Sequence, residues 1–235
     1  MISETREKLI LALDVDTQEE VEKLVEQLSD FVGIFKIGHR LFTRYGPKVI
    51  ETVKKKKVKV FYDAKFYDVS SVIEKAVETV VELGVDMVTL HTLGGLEMMQ
   101  VAVRAAKKKN KLIKVLGVTI LTSLNSQILK EELGIERSPK EEVIYLASRA
   151  KEAGLDGVVA SPYEVEELRR NFTGDFLLVV PGIRPKGYER NEQKRVLTPR
   201  ETIKKGADFL VIGRPILDSD DPVETVKRIL REIEN

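Results

Sequence analysis

The stretch FYDAKFYDVSS at residues 61–71 holds three charged side chains directly behind a hydrophobic run. Asp63 and Lys65 are two positions apart, and alternate residues of a strand point to the same face. Because a buried charge is costly unless it is paired, an Asp–Lys pair at the end of an internal strand needs a reason. A neighbouring carboxylate would keep the lysine protonated and ready to donate a proton. Asp68 follows three residues later, past the expected end of the strand.

A proton-donating lysine beside a carboxylate suits decarboxylation, enolisation or aldol chemistry, and the pattern does not choose among them. The structural alternative is a salt-bridge network that only braces the fold. Polar residues at the ends of other strand-like runs favour the catalytic interpretation. These residues are Asp14, Lys36, Thr122, Ser123, Arg184, Gln193 and Arg214, which follows Gly213.

Eight strand-like runs would position these side chains. Their nearly continuous hydrophobicity predicts parallel strands that are covered on both faces. The runs are 9–15, 34–38, 58–65, 87–91, 113–120, 157–161, 176–181 and 209–213. Amphipathic stretches alternate with them, and four begin with Ser or Thr three residues before Glu, which predicts capping boxes. These four are 17–20, 138–141, 161–164 and 198–201. Glycines expected at helix C-termini are Gly84, Gly154 and Gly206.

Eight strand–helix units in 235 residues predict an α/β fold, a single-domain (β/α)8 TIM barrel over 1–235. A doubly wound open sheet is the alternative, but it usually has a glycine-rich loop after the first strand, where this chain reads DVDTQEE. The C-terminal ends of barrel strands meet at one face, so the polar residues would share one site. The long connections 121–138 and 182–197 are either surface loops or lids over that site.

The composition argues against several classes of function. The net charge is +1, without the basic excess that nucleic-acid or membrane surfaces require. The chain has no cysteine, and its two histidines lack the spacing of metal ligands, so we predict no metal site. It has neither a signal-peptide pattern nor an apolar run long enough for a membrane span, so we expect a cytoplasmic location.

The segment VIGRPI at 211–216 predicts a phosphate site. Its glycine allows close approach of the backbone to an anion, and its arginine can contact two oxygens at once. The loops after the seventh and eighth strands are the common phosphate site of (β/α)8 barrels. We therefore expect a phosphorylated small molecule as the ligand.

Segments spread over nearly the whole chain resemble the orotidine 5′-phosphate decarboxylase family in its bacterial form. They are D-x-K-x-x-D at 63–68, LALDVD at 11–16, GVTILTSL at 117–124 and the block from VVPGIRP to VIGRPI within 179–216. The first of these is shared with sister barrels, including hexulose-phosphate synthases and ketogulonate-phosphate decarboxylases. The third and fourth are more specific to the orotidylate enzymes.

The resemblance implies decarboxylation of orotidine 5′-monophosphate to uridine 5′-monophosphate in pyrimidine biosynthesis, without metal or organic cofactor. Lys65 would donate a proton to C6, and Asp63 would face the substrate carboxylate and hold Lys65. Lys36 would bridge Asp63 and the ribose. Asp68 would enter the neighbouring subunit's site, which makes the protein an obligate homodimer. The substrate-binding residues would be Asp14, Lys36, Asp63, Val69, Val72, Thr122, Pro181, Arg184, Gln193, Gly213 and Arg214.

The chain departs from the family pattern after Asp68. The family usually continues with Ile-Pro-x-Thr, whereas residues 69–72 read VSSV, and Val72 cannot donate a hydroxyl to the partner's ribose. The four charged residues of the proposed network are intact, so we expect altered affinity or activity rather than loss of the chemistry. Two alternatives stay open. One is a metal-dependent sister barrel acting on a sugar phosphate, and the other is a nucleotide-binding barrel with weak catalysis.

Overall fold

The computed structural model describes residues 2–185, 188 and 197–234, and its eight parallel strands close into a barrel. Each strand pairs with the next one along the chain, and the eighth pairs with the first. The (β/α)8 prediction is confirmed, and the open-sheet alternative is wrong. The strands are β1 Leu9–Ala12, β2 Ile34–Ile37, β3 Lys59–Phe66, β4 Met87–His91, β5 Lys114–Val118, β6 Gly157–Val159, β7 Leu177–Pro181 and β8 Phe209–Ile212.

Helices surround the barrel, and several connections carry more than one. The helices are α1 Ile2–Arg6, α2 Gln18–Leu28, α3 His39–Tyr45, α4 Lys48–Lys54, α5 Ser70–Glu82, α6 Gly95–Lys109, α7 Ser126–Glu131, α8 Pro139–Glu152, α9 Val165–Asn171, α10 Pro199–Lys204, α11 Arg214–Leu217 and α12 Pro222–Glu234. The connection 121–138 contains α7 and is therefore partly helical. None of the helices in the described ranges is both long enough and apolar enough to cross a membrane.

Local sequence signals set several helix ends. Three predicted capping boxes are complete, those of Thr17, Ser138 and Thr198. The fourth prediction is wrong, because the N–H of Glu164 bonds to the carbonyl of Ser161 at 3.2 Å and closes a separate turn. Helix α9 begins one residue later, at Val165. The predicted C-terminal glycines have positive φ, namely Gly84, Gly154 and Gly206.

The strands contribute side chains to two apolar layers. One layer fills the barrel interior, and the other lies between the barrel and its helices. The interior layer consists of Ile10, Ala12, Ile34, Phe61, Met87, Leu116, Val179 and Val211. Close packing of this kind holds the strand ends at fixed separations, so polar groups at the C-terminal rim are placed by a rigid frame.

A carboxylate ties neighbouring strands together at the opposite rim. Asp156 accepts the N–H of Val115 at 2.8 Å and the ammonium group of Lys107 at 2.9 Å. We expect Asp156→Ala to lower the free energy of unfolding by about 2–3 kcal/mol, because the buried N–H loses its acceptor. Asp156→Asn keeps an acceptor oxygen and should lose less. Urea denaturation of both variants measures the difference, and equal stability of Asp156→Ala and wild type would contradict this role.

Candidate active site

Asp63 and Lys65 meet at the end of β3, at a point where the strand is irregular. The β3–β4 register shifts between Tyr62 and Phe66. Lys65 has a φ of 46°, in the left-handed region that residues other than glycine seldom adopt. Its Nζ nevertheless donates to Oδ2 of Asp63 at 2.8 Å. The predicted pairing is present. It results from a strand irregularity, of a kind often found next to active sites, and not from simple alternation along the strand.

Two further charges join this pair from neighbouring strands. Lys36, on β2, is only 9% exposed, and its Nζ lies 3.4 Å from Oδ2 of Asp63. The same Nζ lies 3.9 Å from Oδ1 of Asp14, just beyond the end of β1. We call Asp14, Lys36, Asp63 and Lys65 the charged cluster. The structure therefore brings together four residues that the sequence places far apart along the chain.

The charged cluster keeps Asp63 ionised in spite of its burial. Burial by itself raises the pKa of this carboxyl group. The positive charges of Lys36 and Lys65 and the hydrogen bonds from Lys65 and Thr89 together outweigh this effect. The pKa of Asp63 therefore lies below its ordinary value. The site thus presents a carboxylate that is fixed between two ammonium groups.

Thr89 belongs to the site and was not among the residues predicted from the sequence. Its side chain is on β4, and Oγ1 donates to Oδ1 of Asp63 at 2.9 Å. The same oxygen accepts the backbone N–H of Lys65, also at 2.9 Å. The available signal was a polar residue in the middle of the otherwise hydrophobic strand MVTLH.

His91 ends β4 and faces the same region. Its Nδ1 is buried and has no hydrogen-bond partner among the residues that the structure describes. Its ring centroid lies 6.0 Å from that of Tyr67. Burial and the positive charge of Lys65 both lower the pKa of His91, which favours the uncharged form of the imidazole.

Asp68 does not join the charged cluster of its own chain. It is exposed, its carboxylate accepts the N–H of Val69 at 2.7 Å, and it forms no ion pair within the described ranges. Exposed apolar side chains lie at the end of β3, at the start of α5 and just after β4, and we call them the β3–α5 patch, namely Tyr67, Val69, Val72 and Leu93. An open groove of about 750 Å³ runs past Asp68. Such an exposed apolar patch is typical of a protein–protein interface.

Two arginines lie close together at the rim beyond β7 and β8. Burial and the nearby positive charge of Arg214 lower the pKa of Arg184. Like charges held together in this way favour an anion between them. Gly213 directly precedes Arg214, and a Cβ atom added to Gly213 would lie 3.5 Å from Oδ2 of Asp14. The backbone next to Arg214 therefore adjoins the charged cluster. The predicted contact of Gln193 lies outside the described residues.

Thr122 and Pro181 line a cavity of about 520 Å³ above β5, β6 and β7. Leu121, Gly182 and Glu164 also line it, and burial raises the pKa of Glu164. The cavity is thus largely apolar with a few polar groups, the usual character of a small-molecule site. Across the ranges that the structure covers, no group of three or more histidine and carboxylate side chains is arranged to hold a metal ion.

Closed parallel barrels carry their active sites at the C-terminal rim, where the charged cluster lies. A charged cluster with two arginines beside it is typical of (β/α)8-barrel enzymes that act on small anionic substrates. A more specific assignment comes from comparison with known proteins. Residues 7–229 match the model of the orotidine 5′-phosphate decarboxylase / HUMPS family, and the chain belongs to this family.

Individual relatives agree with this assignment over nearly their full lengths. The chain is 46% identical over 233 residues to orotidine 5′-phosphate decarboxylase of Trichlorobacter lovleyi, covering 98% of this chain and 96% of the relative. It is 43% identical over 234 residues to the protein of the same name from Moorella thermoacetica, with coverages of 97% and 93%. The crystal structure of orotidine 5′-phosphate decarboxylase from Lactobacillus acidophilus superimposes with a TM-score of 0.84 at 32% identity, covering 97% of this chain and 99% of that one. The resemblance seen in the sequence is confirmed.

Proposed function

We propose that this chain catalyses the cofactor-independent decarboxylation of orotidine 5′-monophosphate to uridine 5′-monophosphate in pyrimidine biosynthesis. The observation that carries the proposal is the contact of 2.8 Å between Nζ of Lys65 and Oδ2 of Asp63, at the rim of a barrel that belongs to this family. The contact provides an acid and a fixed negative charge at one place.

The proposed reaction uses these two charges in turn. Asp63 faces the substrate carboxylate, and the repulsion between them is relieved as the bond from C6 to the carboxylate breaks and carbon dioxide leaves. The electron pair of that bond stays at C6, and the ammonium group of Lys65 transfers a proton to it. Lys36 holds Asp63 from the other side, and solvent later reprotonates Lys65. Interactions that improve only as the bond breaks lower the barrier rather than merely tighten binding.

The remaining residues bind the parts of the substrate that do not react. Asp14 and Lys36 contact the ribose hydroxyls, which fits their positions 3.9 Å apart at the ends of neighbouring strands. Thr122 reads the pyrimidine edge, with Pro181 packed nearby. The phosphate is held by Arg184, Gln193, the N–H of Gly213 and Arg214. Binding energy from this remote phosphate helps to close the site over the base.

The proposed active unit is a homodimer in which Asp68 completes the partner's site. Two observations support this: Asp68 makes no ion pair with the described residues of its own chain, and the β3–α5 patch leaves apolar surface uncovered. Val69 and Val72 would then lie against the partner's substrate. Because Val72 has no hydroxyl group, we expect the ribose to lose one hydrogen bond. A cytoplasmic location and the absence of nucleic-acid or membrane partners stay predictions.

A spectrophotometric assay tests the proposed activity. The protein is mixed with orotidine 5′-monophosphate, and the ultraviolet absorbance is followed with and without a chelator. We expect turnover that the chelator does not change, with Lys65→Ala as the background control. Absence of turnover would overturn the proposal, and uridine 5′-monophosphate binding without turnover would favour a nucleotide-binding barrel. Chelator-sensitive turnover of a sugar phosphate would favour the metal-dependent sister activity.

A further inference from the structure

Thr89 lies in the middle of β4 with none of its surface exposed, and its hydroxyl group touches both reactive residues of β3. Oγ1 donates to Oδ1 of Asp63 and accepts the backbone N–H of Lys65, each at 2.9 Å. We propose that Thr89 is a positioning residue that holds the carboxylate and the lysine in their reactive geometry. The inference rests on the proposed roles of Asp63 and Lys65.

Thr89 contacts the backbone of Lys65. Because the β3–β4 register shifts between Tyr62 and Phe66, the N–H of Lys65 bonds to a side chain of β4 instead of a backbone carbonyl. The hydroxyl of Thr89 is that acceptor. A partly buried N–H needs an acceptor, and a left-handed non-glycine residue persists only where its surroundings hold it. Thr89 therefore stabilises the unusual conformation that aims Lys65 at Asp63.

Thr89 also fixes the rotation of the Asp63 carboxylate. Oδ1 receives the hydrogen bond of Thr89, whereas Oδ2 faces the ammonium groups of Lys65 and Lys36. A hydroxyl group has one proton to donate, and the proton of Thr89 is directed to the carboxylate because its other contact is itself a donor. This fixes which oxygen of Asp63 each cation meets.

The surroundings of Asp63 also predict a change in pH dependence. Lys36 faces it from β2 and Lys65 from β3, Asp14 pairs with Lys36, and His91, whose pKa is lowered, lies near Lys65. Loss of the hydrogen bond from Thr89 removes one factor that lowers the pKa of Asp63, while burial still raises it. Since the proposed reaction needs ionised Asp63, the acidic limb of kcat/KM should move to higher pH.

The test compares two substitutions that differ in the hydroxyl group. Thr89→Val has nearly the same shape and no hydroxyl, and we expect kcat to fall by about 100-fold, the loss that a small misplacement can cause. The KM and the dissociation constant for uridine 5′-monophosphate should stay within about 3-fold, because the phosphate contacts are untouched. Thr89→Ser should retain most of kcat and the wild-type pH profile.

Thr92→Val serves as the matched control. Thr92 is also buried, but its hydroxyl donates to the backbone carbonyl of Val118 at 2.8 Å and does not contact Asp63. This variant should be less stable than the wild type, but its kcat and the acidic limb of its kcat/KM profile should match those of the wild type. Thr89→Ala, which removes the hydroxyl without placing a methyl group against Asp63, repeats the test if Thr89→Val does not fold.

Two results would overturn the inference. One is a folded Thr89→Val or Thr89→Ala enzyme with wild-type kcat and pH profile, and the other is Thr89→Ser falling as far as Thr89→Val. If Lys65→Ala is inactive in the same assay, these results count against Thr89 alone. If Lys65→Ala keeps full turnover, the roles proposed for the charged cluster are wrong, and the role of Thr89 that rests on them is wrong as well.

Discussion

Replacing Lys65 by alanine is expected to reduce the rate of decarboxylation by about 10⁴-fold, at the upper end of what a positioned proton donor contributes. The substitution removes the proposed acid and also one of the two cations that lower the pKa of Asp63. Binding of uridine 5′-monophosphate should largely survive, because the proposed phosphate contacts lie beyond β7 and β8. Single-turnover rates and product binding measured on one preparation separate the two effects.

Lys59 provides the control for this substitution. It lies on the same strand, at the opposite end, where its ammonium group pairs with Glu7 at 2.6 Å. Lys59→Ala should therefore keep turnover close to that of the wild type. Near-normal activity of Lys65→Ala would show that the lysine is not the proton donor, and an equal loss in Lys59→Ala would point to damage to the fold.

Replacing Asp68 by alanine should reduce activity by at least about 100-fold, and its effect should be complemented across subunits. In a dimer formed from one Asp68→Ala chain and one Lys65→Ala chain, one site would hold both defects and the other neither. Equal mixing should restore about one quarter of wild-type activity, because half of randomly formed dimers are mixed and each holds one intact site. Activity is measured after co-expression or after subunits are separated and reassembled together.

The matching control mixes Lys65→Ala with Asp63→Asn. These two residues contact each other within one chain at 2.8 Å, so every mixed dimer would hold two defective sites. No recovery is expected from this pair. If the Asp68→Ala mixture also fails to recover although mixed dimers form, Asp68 acts within its own chain and the proposed sharing of sites is wrong.

The fold was predictable because its signals are local. Continuous hydrophobic runs separated by amphipathic stretches predict buried parallel strands and covering helices. The capping boxes of Thr17, Ser138 and Thr198 mark helix starts through contacts only three residues apart. The motif at 161–164 failed because its internal contact is equally compatible with an isolated turn. Sequence spacing alone does not distinguish that turn from the first turn of a helix.

The members of the charged cluster could also be named in advance, because barrel strands deliver their C-terminal ends to one rim. The sequence thus determined the residue types at that rim, the number of strands and the resemblance to the family. It placed Asp68 past the strand end, and the structure finds it outside the cluster of its own chain.

Only the tertiary structure decided how these residues meet. The register shift between Tyr62 and Phe66, the left-handed Lys65 and the contact of Thr89 with Asp63 depend on how β3 pairs with β4. Thr89 is 26 positions from Asp63 along the chain. No periodicity within either strand encodes that distance, because register is set by the packing of the whole closed barrel. Local patterns therefore determined which groups are available, and long-range packing decided which of them touch.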